Sequence, residues 1–154
     1  IMVDINPASS ISVESVKKLG PRDRSEKKIV IAEDSPLLRK LLHDTMKEAG
    51  YANTEFFENG RDAYEYLEAL VKADKNIEKY VQLVVTDIEM PQMDGHHLTK
   101  KIKTHPDLQK LPVIIFSSLI TDDLRHKGDK VGAEDQISKP EIAELILRMD
   151  QLML

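Results

Sequence analysis

From Lys28 onward, short apolar runs rich in β-branched residues alternate with stretches whose apolar residues recur every three or four positions. The first run is KIVIA at 28–32. It is followed by LLRKLLHDTMKEA at 37–49, a helical pattern with Leu37, Leu38, Leu41, Leu42, Thr45, Met46 and Ala49 expected on one face. Ser35 suits the N-cap, Pro36 the first helical position and Gly50 a left-handed stop. The cycle then repeats, with TEFF at 54–57 before a helix over 61–73, and QLVVTD at 82–87 before a helix through Leu98 and Ile102. PVIIF at 112–116 precedes a polar helix over 122–130, and a short strand around Gln136 and Ile137 precedes a helix in EIAELILRMDQLML. Five strand and helix pairs in this order predict an α/β fold. Runs such as QLVVT and PVIIF, apolar almost throughout, suit a parallel sheet covered by helices on both faces.

Residues 1–26 break the pattern. IMVDI stops at Asn6-Pro7, and a Ser-rich, charged passage with Gly20-Pro21 follows. This stretch is expected to be the end of an upstream domain and a linker, with one folded domain over 27–154, so the chain reads as a piece of a longer protein. A length of 154 residues with 41% hydrophobic side chains supports one core and not two. No apolar run nears the roughly 18 residues of a membrane helix, so membrane insertion is not expected. The net charge of -5 lacks the basic excess of a nonspecific phosphate-backbone binder, and nucleic acid is not an expected ligand. The chain has no cysteine, which removes disulfides, thiolate zinc sites and cysteine nucleophiles, and fits a cytoplasmic location.

In an open parallel sheet, ligands bind outside the carboxyl ends of the strands, so the residues ending each strand carry the candidate chemistry. These are Glu33 and Asp34, then Asp87, then Ser117 and Ser118, then Lys139 before Pro140. Carboxylates brought together repel unless a positive charge sits among them, and Mg²⁺ suits such a set because it takes hard oxygen ligands and leaves positions for phosphate oxygens. His96 and His97 lie where a helix begins without a third ligand at metal-site spacing, and are expected to face solvent. His43 has no surrounding bundle of the kind that carries phosphotransfer histidines. Met90 and Met93 are expected to pack or shape the loop. Lys139-Pro140 is expected to be cis, because the chain must turn while the lysine points back to the crevice.

Four segments, EDSPLLR at 33–39, TDIEMPQMDG at 86–95, PVIIFSS at 112–118 and VGAEDQISKP at 131–140, together resemble bacterial response-regulator receiver domains. The likeness covers residues 27–154. It implies a doubly wound five-stranded parallel sheet of order 2-1-3-4-5, flavodoxin-like or CheY-like. Within the family the chain resembles the carboxyl-terminal receiver of chemotaxis coupling proteins of the CheV type. The resemblance implies Asp87 as phosphoacceptor, Mg²⁺ held by Glu33, Asp34, Asp87 and the backbone carbonyl of Glu89, and Lys139 and Ser117 as partners of the phosphoryl oxygens. It further implies a chemotaxis-type histidine kinase as donor, with the chemoreceptor array as a further partner, and a signalling module rather than an enzyme. Two alternatives stand beside it. One is an aspartate-based phosphatase of the haloacid dehalogenase type, suggested by Asp87-Ile88-Glu89, although those enzymes place the motif after the first strand. The other is a scaffold that is never phosphorylated, opposed by the presence of every reactive residue. Three departures from the usual receiver pattern are visible. Glu33 stands for aspartate, Gln136 stands where receivers often carry an aromatic switch residue, and the connection KADKNIEKYVQ at 72–82 is long.

Overall fold

The computed structural model describes residues 24–154, so expectations for residues 1–23, including a strand end at 1–6, lie outside the described residues. Strand β1 (Ile29–Ala32) leads into α1 (Pro36–Ala49), β2 (Thr54–Phe57) into α2 (Gly60–Ala73), and β3 (Leu83–Thr86) into α3 (Gly95–Thr104). Next come β4 (Val113–Ser117) with α4 (Asp122–Val131) and β5 (Asp135–Ser138) with α5 (Ile142–Met153). All strand pairs are parallel and their order is β2-β1-β3-β4-β5, as the resemblance implied. No described helix is long and apolar enough to cross a membrane.

Alternating side chains explain why the central strands read as unbroken apolar runs. Ile29, Ile31, Leu83, Val85, Ile114 and Phe116 pack under α1 and α5 with Leu42, Met46, Ile146 and Met149. Val30, Ala32, Val84 and Val113 take the other face, under α2 and α3, with Leu67, Leu98 and Ile102. The edge strand β2 is only half-buried along its length. The long connection before β3 forms a 3₁₀ turn (Ile77–Lys79) that inserts Ile77 and Val81 into the second cluster.

Helix α1 begins and ends as its sequence predicts. Ser35 accepts from the Leu38 amide, Pro36 opens the helix, and Gly50 closes it at φ 109°. Its apolar stripe is wider than the surface it covers, however. Leu42, Met46 and Ala49 are buried, whereas Leu37 is 80% exposed and Leu41 47% exposed. Only the part of the stripe facing the sheet finds partners, so the expectation of one shared face is corrected.

At the amino-terminal ends of the strands, Arg24 and Asp150 form a buried bidentate pair, Nε to Oδ1 at 3.0 Å and an Nη to Oδ2 at 2.7 Å. Arg24 also donates to the Ala49 carbonyl at 2.8 Å, and the Tyr51 hydroxyl donates to Asp150 Oδ1 at 2.6 Å. The described chain therefore already engages the folded body at Arg24.

Candidate phosphoacceptor site

Strand register assembles the site. Ala32 pairs with Thr86, so the residues that follow, Glu33 and Asp87, leave neighbouring strands side by side. Ser117 pairs with Ser138, which sets Lys139 next to the end of β4. The crevice lies at β1 and β3, where the order of strands reverses. Carboxylate oxygens of Glu33, Asp34 and Asp87 all come within 4.8 Å of one another. Lys139 Nζ donates to Glu33 Oε1 at 2.7 Å and to Asp87 Oδ2 at 3.1 Å. The Lys139-Pro140 bond is cis, as expected.

One ammonium against three carboxylates leaves two negative charges unbalanced, a set of hard oxygens suited to a divalent cation. The residues present therefore fit Mg²⁺. Burial pushes the Glu33 carboxyl above the usual range, and its hydrogen bonds from Lys139 and the Ser35 amide pull against that shift. Both oxygens of Glu33 are engaged, Oε1 by Lys139 and Oε2 by the Ser35 amide at 3.0 Å. Asp34 is exposed, so its carboxylate meets the cleft from the solvent side. Asp87 is held by the Ile88 amide, which donates to Oδ1 at 2.7 Å.

Ser117 is buried at the end of β4, and its hydroxyl accepts from the Leu119 amide at 3.2 Å; Ser118 is exposed. Glu89 is exposed too, and its carboxylate is not among the clustered acids. Met93 packs in the core, and its carbonyl accepts from the Gly60 amide at 3.1 Å, in keeping with a loop-shaping role. His43 and His97 are exposed.

His96 corrects the sequence reading. It is buried, with Nε2 unpartnered, because α4 covers the start of α3. Burial lowers its pKa below the usual 6.5, Lys127 adds to the effect, and Asp94 opposes it. A base with a depressed folded pKa favours folding above the ordinary histidine value and loses that contribution as pH falls through and below it. Denaturant titrations should therefore show stability falling from about pH 7.5 to about pH 5.5, with a shallower fall in His96→Leu. Equal slopes in the two proteins would remove His96 from the account.

Two supports of the site were not singled out from sequence. Arg39 donates to the Glu33 carbonyl at 2.8 Å, fixing the turn that presents Asp34. Its place one turn into the helix was a usable signal, since helical side chains lean toward the amino terminus. At Gly95 a Cβ would collide with the Asp87 carbonyl, so only glycine lets α3 approach the end of β3 so closely.

A doubly wound parallel sheet with three acids and a lysine at its strand ends defines the receiver class of signalling domains. The family model for the response regulator receiver domain matches residues 29–150, and the chain belongs to that family. CheV2, a chemotaxis protein of Helicobacter pylori, is 35% identical over 79% of this chain and 37% of its own length. The signal receiver domain of a signal transduction histidine kinase from Syntrophus aciditrophicus superposes with a TM-score of 0.70. It is 32% identical, over 82% of this chain and 89% of that one. A receiver domain of the sensor histidine kinase PA1611 from Pseudomonas aeruginosa shares the fold, with a TM-score of 0.68 and 19% identity, over 82% of this chain and 96% of that one. That protein holds a magnesium ion in its active-site cleft. The chain spans 14% to 37% of the length of several curated relatives it matches, among them the CheV chemotaxis proteins of Helicobacter pylori, and 85% of the shorter chemotaxis protein CheY1 of the same organism.

Proposed function

We propose that this domain accepts a phosphoryl group on Asp87 from the phosphohistidine of a chemotaxis-type histidine kinase. The observation that carries this reading is Lys139 Nζ lying between Glu33 and Asp87 at 2.7 Å and 3.1 Å, with Asp34 in the same cluster. A carboxylate oxygen of Asp87 attacks phosphorus, forming the P–O bond as the donor's P–N bond breaks, and the departing imidazole takes up a proton. Asp34, Asp87, Glu33 and the backbone carbonyl of Glu89 would hold Mg²⁺, which when bound offsets the charge of the phosphoryl oxygens. Lys139 exchanges its carboxylate partners for a phosphoryl oxygen, and the Ser117 hydroxyl takes another. The reading places the domain in the cytoplasm. There it modulates coupling between kinase and chemoreceptor array, or drains phosphate from another receiver. The reading assigns this chemistry to the domain over 27–154, and Arg24, paired with Asp150 at the opposite end of the sheet, takes no part in it.

The phosphatase alternative gains nothing from the structure, since the acid two residues after Asp87, Glu89, is exposed and outside the cluster. Incubation with a small phosphodonor and Mg²⁺ should label the chain to about one phosphate and then stop, as expected of a single aspartyl acceptor. EDTA should stop labelling altogether. Steady release of phosphate over many turnovers would favour an enzyme, and labelling that ignores EDTA would remove the metal from the mechanism.

A further inference from the structure

The amino-terminal end of the sheet carries an apolar groove of about 370 Å³. Ile77 and Val81 precede β3, Leu111 and Pro112 precede β4, and Leu152 and Met153 come from the end of α5. Over most of the molecule the sheet separates the two apolar clusters of the core. Here they meet, Ile77, Val81 and Leu111 belonging to one while Leu152 and Met153 pack against the other. Glu78 and Lys110 are exposed beside them. A contiguous aliphatic surface rimmed by charge is the usual mark of a binding face.

The stretch before Arg24 is tethered close to this groove. Arg24 is held by two bonds to Asp150, two residues ahead of Leu152 on α5. Four residues on, the Lys28 amide donates at 2.6 Å to the side chain of Gln82, which also lines the groove. Residues 24–28 therefore run between two elements of the groove. Before them stands ISVESVKKLGP at 11–21, in which Val13, Val16 and Leu19 recur every third position. Lys17 and Lys18 offer partners to Glu78, Glu14 offers one to Lys110, and Gly20-Pro21 suits a turn. Five extended residues reach about 17 Å, several times the rise of about 4.5 Å along α5 from Asp150 to Met153, so Leu19 has chain to spare.

We infer that the groove is a docking site for the chain's own residues 13–19, with Val13, Val16 and Leu19 against its aliphatic walls. The inference does not depend on the phosphoacceptor reading. Tethering favours this occupant over a second copy of the chain. A segment held a few residues away meets the groove at an effective concentration of order millimolar, roughly 100-fold above that of a separate copy at about 10 µM. The docked stretch lies at the end of the sheet away from Asp87, so whatever precedes residue 13 leaves from the side opposite the crevice.

The chain has no cysteine, so a single introduced one carries a nitroxide at a chosen place. On Lys110→Cys in the full chain, the label should lower the amide peak intensities of residues 13–19 at least about twofold, as expected where half the chains or more are docked. Glu78→Cys, also on the rim, should give the same loss and serves if the first variant does not fold. A label on Ser118→Cys, exposed at the far end of the sheet, should leave those amides at full intensity. Val16→Asp with Leu19→Asp should restore them beside the rim label, because a carboxylate does not enter an aliphatic groove unpaired. Undiminished intensity with either rim label overturns the proposal. So does loss that survives the double substitution, which would come from the tether alone, and so does equal loss from the Ser118 label. Nitroxide-labelled chains mixed with unlabelled, isotope-enriched ones should cause no loss; loss there assigns the groove to a second copy and overturns its assignment to residues 13–19.

Discussion

Asp87→Asn should reduce labelling by a phosphodonor at least about 100-fold, to background, because it replaces the attacking oxygen pair with a neutral amide of the same shape. The fold should survive. The remaining amide oxygen can still accept from the Ile88 amide, which bonds Oδ1 at 2.7 Å, and Lys139 keeps Glu33 at 2.7 Å. Stability should stay level or rise, since one of three mutually repelling carboxylates has lost its charge. Phosphate incorporation followed by mass, with a denaturant titration on the same sample, reads both effects. Undiminished incorporation would move the acceptor elsewhere, and a collapse in stability would mean that Asp87 serves the fold first.

The second large effect lies at the opposite end of the sheet. Asp150→Ala should cost about 3–5 kcal/mol of unfolding free energy, because it removes the carboxylate that holds the Arg24 guanidinium at two points in a site where its side chain is only 7% exposed. It also takes the acceptor from the Tyr51 hydroxyl, whose own pKa is driven up first by burial and then by Asp150. Replacing both charges by apolar groups, Arg24→Met with Asp150→Leu, should recover most of the loss, since neither charge then has to be buried. Urea midpoints and slopes for the two proteins at neutral pH decide the matter. A loss below about 1 kcal/mol in the single variant would show that water reaches the pair and screens it.

What these two predictions ask of the sequence differs. Asp87 is legible because a run of β-branched residues ends there, and the carboxyl end of a buried parallel strand is where such a sheet binds ligands. Glu33, Asp34, Ser117 and Lys139 follow by the same rule, and the strand register then shows Glu33 beside Asp87 and Ser117 beside Lys139. The ends of α1 are equally local, since Ser35, Pro36 and Gly50 act on the backbone within a turn of themselves.

Arg24 and Asp150 are 126 residues apart, and nothing in the spacing of either announces the other. His96 reads as a surface residue at the start of a helix until α4 closes over it, and Gln136 reads as a lost aromatic until Arg125 and Asp129 supply its acceptors. Leu37 and Leu41 fail in the opposite sense, with a correct period on a helix wider than its partner surface. The sequence by itself determined the elements, their order and the reactive strand ends, because periodicity, capping and turn chemistry act over a few residues. Only the tertiary structure decided which polar groups are buried and what satisfies them, because desolvation depends on every element packed around a group and not on its neighbours in the chain.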